Sequence, residues 1–254
     1  MQKHLLGLLF LSLLHLQSQA QNTPLHQYAV HHNAWFMYFG DHKFSPRWGV
    51  HLEAQIRRNN GLQNPQQLLL RTGLNYHFGP QVFATVGYCY VETYPYGEFP
   101  VNAAFPENRF WEQLQIKTQL SRFEWVNRLR LEQRLSKLPV LRTDGYEPGD
   151  AVYTNRARIL NRISVPFKGT TIADKSLYVT VYDEVLLGFG KNIAANALDQ
   201  NRLYGALGYK IPRLGRLELG YLFQSIFKAD GVKVERNHTL QVGLTSNIDF
   251  FKQQ

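Results

Sequence analysis

The stretch that decides the fold reads Glu124-Trp125-Val126-Asn127-Arg128-Leu129-Arg130-Leu131-Glu132-Gln133-Arg134-Leu135. Successive side chains of a β-strand point to opposite faces. In that conformation one face is charged and the other is apolar, with Arg128, Arg130, Glu132 and Arg134 on the first and Leu129, Leu131 and Leu135 on the second. Several such strands behind a secretion signal are typical of a transmembrane β-barrel, in which the apolar face contacts lipid and the charged face lines the lumen.

The first twenty residues have the features of a secretory signal peptide. Lys3 and His4 form a short polar start, an apolar run follows over residues 5–16, and Ser18-Gln19-Ala20 provides small residues for cleavage. The apolar run is too short for a transmembrane helix. We therefore predict a signal peptide at 1–20, with export to the bacterial outer membrane.

Composition agrees with a barrel and limits the other classes. The mean hydropathy is −0.32, which looks soluble, but alternating lipid-facing and lumen-facing residues cancel in such an average. The net charge of +9 favours anionic lipid or an anionic solute as a partner, and an exported protein is not expected to bind nucleic acid. A single cysteine, Cys89, excludes an intramolecular disulfide and a cysteine zinc cluster, and is expected to be a small strand residue.

Eleven segments of the chain alternate between apolar and polar residues, and none shows a competing helical period. From residue 58 onward, long and short connections alternate, as do the outer loops and periplasmic turns of outer-membrane barrels. Because bacterial barrels almost always have an even number of strands, we predict ten to twelve, and favour twelve with an extra short strand hidden in 21–33. The predicted organisation is a polar lead at 21–33 and a single all-β, antiparallel barrel domain at 34–254.

The polar faces of these segments carry mostly positive charge. A register that turned them toward lipid would cost about 2–4 kcal/mol for each Arg or Lys near the bilayer centre, so we place them inward. The inward basic residues are then Arg47, Arg57, Arg71, Arg109, Lys117, Arg128, Arg130, Arg134, Arg156, Arg158, Arg162, Arg202, Lys210 and Arg216, and the inward acidic residues are Glu53, Glu124, Glu132, Glu184, Glu218 and Asp249.

The candidate site is a charge network within this set. Its predicted members are Arg71, Arg109, Arg128, Arg130, Glu132, Arg134, Arg156, Arg158, Arg162, Glu184, Arg202 and Glu218. Two interpretations stay open. Either arginines and glutamates pair across strands and fill a narrow barrel, or the excess positive charge lines a water-filled passage that favours small anionic solutes, as basic rings do in anion pores.

The sequence gives little support for catalysis, and we predict no catalytic residue, metal or cofactor. His26, His31 and His32 lie near the mature N-terminus, where a polar lead explains them. An alternative function is an outer-membrane hydrolase or lipid-modifying barrel, for which Ser225 and His238 are conceivable partners on neighbouring strands. A third alternative, a soluble lipocalin-like binder, would need an apolar interior, and the inward arginines count against it.

Several short motifs, taken in order, resemble an uncharacterised family of secreted proteins from Bacteroidota-type bacteria that is known only as a domain of unknown function. The resemblance covers nearly all of the mature chain and implies an outer-membrane β-barrel, with no activity or ligand to carry over. It rests on Trp35 with the strand after it, 70–73, 107–113, 128–134, 182–184, 201–204 and 218–221.

Overall fold

The computed structural model describes residues 26–193 and 195–250, so the predicted signal peptide at 1–20 lies outside the described residues. The described ranges contain no helix that is long and apolar enough to cross a membrane. They form the strands β1 (Gln27–Lys43), β2 (Trp48–Asn59), β3 (Asn64–His77), β4 (Val82–Thr93), β5 (Phe105–Leu120), β6 (Phe123–Ser136), β7 (Pro139–Arg142), β8 (Gly145–Pro148), β9 (Val152–Pro166), β10 (Leu177–Phe189), β11 (Leu198–Ile211), β12 (Gly215–Phe227) and β13 (Lys233–Ser246).

Eleven of these strands close into a barrel in the order β1-β13-β12-β11-β10-β9-β6-β5-β4-β3-β2, while β7 and β8 pair as a separate hairpin. Every neighbouring pair in the barrel is antiparallel except β1 and β13, which run parallel from Gln27 opposite Lys233 to Gly40 opposite Ser246. Strand direction alternates along the chain, so the first and eleventh barrel strands point the same way and can close only by a parallel ladder.

The strand count corrects one part of the sequence prediction. Eleven strands fall within the predicted ten to twelve, but the favoured number, twelve, is wrong for the described residues. The even-number rule failed because the barrel closes through a parallel pair. Residues 27–33, expected in a polar lead that hid a separate strand, instead extend β1 toward its N-terminus and pair with β13.

The two faces of the barrel wall have opposite chemistry, as the alternation predicted. In β2, Glu53 and Arg57 are buried inside the barrel, while the residues that precede them, Leu52 and Ile56, are 40% and 55% exposed. β6 also has polar side chains inside the barrel and apolar side chains outside: Arg130 is 1% exposed and its neighbour Leu129 is 47% exposed. The outer wall therefore presents a contiguous apolar surface far larger than soluble monomers normally expose.

Two apolar clusters fill opposite parts of the interior. One lies on β3, β4 and β5 and consists of Leu69, Cys89, Val91 and Trp111. The other lies on β1, β11 and β12 and consists of Trp35, Tyr204 and Leu222. Charged side chains occupy the space between the clusters.

The two ends of the barrel differ in the length of their connections. We call one the short-turn end, where the chain reverses within residues 44–47, 78–81, 121–122 and 212–214, and the other the long-loop end, which carries residues 94–104, 137–151 and 228–232. The hairpin of β7 and β8 lies within the second of these loops. This arrangement matches the predicted alternation of long and short connections at most positions; the exceptions are the short connection 60–63 at the long-loop end and the longer connection 167–176 at the short-turn end.

Candidate functional site

A network of ion pairs crosses the lumen and is centred on Glu132 of β6. The Glu132 carboxylate accepts hydrogen bonds from Arg71 at 3.1 Å, from Arg156 at 2.6 Å and from Arg158 at 3.1 Å. Arg71 belongs to β3, which is separated from β6 by two strands, whereas Arg156 and Arg158 belong to β9, the neighbour of β6 in the wall. Glu132 is 1% exposed, and charged hydrogen bonds in such a dry environment are stronger than those between neutral groups.

Two further carboxylates extend the network around the lumen. Arg71 donates to Glu53 of β2 at 2.5 Å. On the opposite side, Glu184 of β10 accepts from Arg158 at 2.7 Å, and from Arg128 and Arg202 at 2.8 Å and 3.2 Å. The alternating series Glu53, Arg71, Glu132, Arg158, Glu184 and Arg202 thus spans six strands of the wall, and we call it the septum.

Arg57 and Trp35 lie next to the septum, on the side of the barrel formed by β1 and β2. The Arg57 guanidinium carbon lies 3.9 Å from the centre of the Trp35 ring, and that of Arg202 lies 5.6 Å from it. The indole Nε1 of Trp35 donates to Gln66 at 2.8 Å, which fixes the ring. Cation–π contacts of this kind contribute about 2 kcal/mol when they are desolvated.

Positive charge exceeds negative charge in this interior. Around the septum, nine arginines face five carboxylates, an excess of four; they are Arg57, Arg71, Arg109, Arg128, Arg130, Arg134, Arg156, Arg158 and Arg202, against Glu53, Glu107, Glu132, Glu184 and Asp199. Within the described residues Arg57 makes no ion pair, and its guanidinium donates only to the amide oxygens of Gln55 and Gln67. A buried charge that lacks a partner is unfavourable by several kcal/mol, so this interior favours an anion.

A cavity of about 360 Å³, which we call the funnel, lies between the septum and the short-turn end. Its charged lining includes Lys117, Glu124, Arg128, Arg162, Lys210 and Arg216. Near the mouth, Glu124 accepts from Arg216 at 2.5 Å and lies 2.7 Å from the Lys117 Nζ. The Lys117 side chain is 45% exposed, so positive charge is accessible at this entrance.

A smaller cavity of about 70 Å³, which we call the chamber, lies on the long-loop side of the septum. Its lining contains one carboxylate, Glu53, and six arginines, namely Arg57, Arg109, Arg134, Arg156, Arg158 and Arg202. Glu53, Arg57, Arg158 and Arg202 line the funnel as well. These shared side chains therefore separate one cavity from the other.

The loop of residues 94–104 folds inward at the long-loop end. The Tyr96 hydroxyl donates to Glu235 of β13 at 2.8 Å, and its ring meets the edge of His31 at 5.8 Å. The backbone N–H of Glu98 donates to His31 at 3.0 Å. Burial, together with the negative charge of Glu235, raises the pKa of Tyr96 above its usual range, so the hydroxyl stays protonated and covers this side of the mouth.

The structure brings ten of the twelve predicted site residues together around the septum. Among them, Arg130 lies 3.8 Å from the Glu53 carboxylate, donates to Gln113 at 2.7 Å and lies over the Trp111 ring at 4.6 Å. The other two, Arg162 and Glu218, form a separate ion pair at the funnel wall, where Tyr178 also donates to Glu218 at 2.6 Å.

Two residues predicted to face the lumen lie outside the barrel strands. Arg47 is exposed in the turn between β1 and β2, where it donates to the Tyr76 hydroxyl at 3.4 Å. The strand begins only at Trp48, so the alternation of β2 does not include Arg47. Asp249 follows the end of β13 and is joined to Lys43 by an isolated backbone bridge, so it lies on no strand face.

Two inward carboxylates near the septum were missed by the sequence reasoning. Glu107 is 3% exposed and accepts from Arg134 at 2.7 Å, and Asp199 accepts from Arg156 at 2.7 Å. Neither is in the predicted set of inward acidic residues, although β5 begins at Phe105 and β11 at Leu198, so both lie on barrel strands. The period-two spacing from Glu107 to Arg109 was the signal that could have found the first of them.

The structure places the histidines and the candidate hydrolytic pair at several different positions on the barrel. His31 bonds Asn237 inside the barrel at 3.0 Å, whereas His32 stacks on His238 at 5.5 Å. Among the described residues no group of three or more His, Cys, Asp or Glu could hold a metal ion. Ser225 is paired in register with Arg236, and the His238 Nδ1 is hydrogen-bonded to Tyr221 at 2.5 Å.

Comparison with known proteins identifies the family of this chain but gives no activity for it. No curated protein matches the chain. The model of one family, described as "Protein of unknown function (DUF2490)", matches residues 32–235, which include ten of the eleven barrel strands in full or in large part and every member of the septum. The chain therefore belongs to the DUF2490 family, a family of unknown function.

Proposed function

We propose that this protein is an outer-membrane β-barrel that admits small anionic solutes into an arginine-lined lumen, with the septum limiting their passage. The observation that carries the proposal is the excess of nine arginines over five carboxylates in a closed interior with a cavity on each side of the septum. Basic rings favour anions in pores for the same electrostatic reason.

The outer wall supports a location in lipid. Large apolar side chains such as Leu129, Leu203, Leu219 and Leu240 are 47%, 56%, 56% and 54% exposed on the outside of the barrel. In water such a continuous surface would promote aggregation, whereas a bilayer solvates it. The strands of the barrel contain 12 to 17 residues, which exceeds the roughly 9–11 residues needed to cross a tilted bilayer.

The mouth of the funnel supports entry of anions from the short-turn side. Lys117, Lys210 and Arg216 all line the funnel, and their carboxylate partners near the mouth are Glu124 and Asp174. Over the whole lining of the funnel, nine Lys and Arg side chains stand against five carboxylates, and this net positive charge raises the local concentration of anions.

The septum supports a restricted passage rather than a wide pore. Side chains from β2, β3, β6, β9, β10 and β11 form a continuous series of direct ion pairs inside the barrel, in which the Arg71–Glu132 pair links β3 to β6 past two intervening strands. An anion that passes must displace at least one carboxylate from an arginine, so a conducting state requires these side chains to rearrange. The two interpretations left open by the sequence thus describe two states of one interior, paired when closed and basic when open.

Planar-bilayer recording tests the proposed function. Purified protein in a chloride gradient should give a small, anion-selective current, and Glu184→Ala, which releases Arg128 and Arg202, should increase it. Glu147→Ala is the control, because Glu147 is exposed on the β7–β8 hairpin and lines neither the funnel nor the chamber. A cation-selective current, a large steady conductance from the unaltered protein, or no current from either protein would contradict the proposal.

The location has its own test. Protein extracted from membranes should need detergent to stay monodisperse, and it should migrate differently on gels before and after boiling, as closed barrels do. A monomer that remains soluble without detergent would refute the outer-membrane location.

A further inference from the structure

We infer that the chamber is a binding site for one small oxyanion of the phosphate or sulfate class. The inference deepens the proposed function and rests on its basic lumen, but it concerns a cavity that lies apart from the funnel. Six arginines and a single carboxylate line the chamber directly. Its remaining lining is almost entirely amide side chains, among them Gln55, Gln67 and Gln200.

Arg57 is the first residue that points to a ligand. It is 8% exposed and makes no ion pair in the part of the chain that the structure describes. Its guanidinium has five N–H donors, and three hydrogen bonds to Gln55 and Gln67 leave two of them for a further acceptor. Since a buried arginine keeps its proton, a bound anion would supply the negative charge that its amide partners do not.

Arg202 supplies an independent indication. It is 7% exposed, it lines the chamber, and its Nε is a buried donor without a hydrogen-bond partner among the described residues. Its two terminal nitrogens are occupied by Glu184 at 3.2 Å and by Gln200 at 2.8 Å. Buried donors without an acceptor are rare in native proteins, and an oxyanion oxygen in the chamber would satisfy this one.

The other arginines of the chamber are already oriented by carboxylates behind them. Arg134 donates its Nε and Nη2 to Glu107, and Arg156 donates to Glu132 and Asp199. Each guanidinium is thereby held in place before any ligand arrives, which reduces the entropy lost on binding. The planar guanidinium fork is also the side chain best suited to two parallel hydrogen bonds with a phosphate or carboxylate oxygen pair.

The size of the chamber restricts the ligand class. A cavity needs about 10–15 Å³ to hold one water molecule, so about 70 Å³ accommodates several waters or one tetrahedral oxyanion, but not a nucleotide or a lipid headgroup. Entry is from the long-loop side, where the Arg134 and Asp199 side chains are 23% and 27% exposed.

Equilibrium dialysis with inorganic phosphate tests the inference on the full chain in detergent, at constant ionic strength. The unaltered protein should bind about one phosphate per chain. Arg57→Met should weaken binding at least tenfold, which corresponds to about 1.4 kcal/mol, because it removes a charged hydrogen-bond donor from the chamber. The matched control is Arg47→Met, which removes an exposed arginine just before the same strand and should leave binding unchanged.

A second variant keeps the inference testable if Arg57→Met does not fold. Gln200→Glu adds a carboxylate of nearly the same size beside Arg202, so it should compete with the anion and also weaken binding at least tenfold. Sulfate should displace phosphate, whereas glycerol 3-phosphate should bind more weakly than phosphate, because its carbon chain does not fit within about 70 Å³. No binding by the unaltered protein, equal binding by all variants, or equal binding of glycerol 3-phosphate would overturn the inference.

The outcomes separate this inference from the proposed function. Arg216→Gln, in the funnel, should keep phosphate binding but reduce the anion selectivity of any current. A protein that conducts anions but binds no phosphate would refute the chamber alone. A protein that binds phosphate with the expected dependence on Arg57, but conducts nothing after the septum is weakened, would refute the proposed function alone.

Discussion

The septum and the mouth of the funnel both contain ion pairs between basic and acidic side chains, but these pairs differ in their exposure to water. In the septum, the Arg71 and Glu132 side chains are 1% and 0% exposed. At the mouth, the Lys210 and Asp174 side chains are 34% and 58% exposed. Water and salt screen the second pair and hardly reach the first. The comparison shows that ion pairs have two roles in this barrel. Buried ion pairs hold strands of the wall together, whereas exposed ion pairs leave charge accessible to solutes.

The largest expected effect is at the centre of the septum. Glu132→Gln removes the carboxylate shared by Arg71, Arg156 and Arg158, and so leaves three buried guanidinium groups with one partner fewer. We expect the free energy of unfolding to fall by about 3–5 kcal/mol, measured by guanidinium titration in detergent. A loss below about 1 kcal/mol would contradict the idea that the septum joins the strands.

The second-largest effect on stability is expected at Tyr96, at the long-loop end. Tyr96→Phe removes a hydrogen bond to the Glu235 carboxylate and should lower the free energy of unfolding by about 1.5–3 kcal/mol at neutral pH. Because the pKa of Tyr96 is raised in the folded protein, this contribution is complete below the unfolded pKa of about 10 and is lost as the pH rises above it.

The pH profile separates this role from a general loss of packing. Alkaline unfolding should be shallower in Tyr96→Phe than in the unaltered protein. Tyr146→Phe is the control, since Tyr146 is 46% exposed in the β7–β8 hairpin and should change neither stability nor the profile. Identical alkaline profiles for Tyr96→Phe and the unaltered protein would contradict the assignment.

A smaller effect is expected at the unpaired arginine beside the septum. Arg57→Met loses the contact with Trp35 and its amide hydrogen bonds, but it also removes a desolvated charge. These changes oppose each other, so stability in phosphate-free buffer should change by less than about 1 kcal/mol. Arg71→Met should lower the stability several times more, because it breaks ion pairs with both Glu53 and Glu132. Equal losses of stability for the two variants in thermal unfolding would contradict this difference between a paired and an unpaired arginine.

The smallest effect is expected at the mouth. Asp174→Asn breaks only the screened pair with Lys210, which spans 3.3 Å, and exposed pairs contribute about 0–1 kcal/mol. The guanidinium midpoint should therefore stay within experimental error of the unaltered protein, and raising the salt concentration should remove any difference. A loss as large as that of Glu132→Gln would show that exposure does not separate the two regions.

The sequence predicts the wall of this barrel well because alternation is a local property. The period-two pattern of β6 assigns Leu129 outward and Arg130 inward without knowledge of any other strand, and the structure confirms both. The same reasoning gave the all-β fold and the alternation of connections. It failed where a strand extends beyond its clear pattern, as at Gln27 and Glu107, since the ends of strands carry mixed residues.

The partners within the lumen could not be predicted in the same way. Arg71 and Glu132 are 61 residues apart and lie on strands separated by two others in the wall. Arg128 and Glu184 likewise meet across β9. Which charges meet depends on barrel diameter and stagger, which follow from strand number and closure. The sequence did not specify either, because the parallel closure of β1 on β13 breaks the usual even count.

The most direct test of the central claim, that the charged face is inward and the apolar face contacts lipid, uses the strand with which the sequence analysis began. A fluorescent label is attached at Leu129→Cys or at Arg128→Cys in protein reconstituted into vesicles, with Cys89 unchanged because it is fully buried. Quenchers on the lipid chains should quench the label at residue 129 and leave that at residue 128 largely unaffected. Equal quenching at both residues, or quenching only at residue 128, would contradict the account.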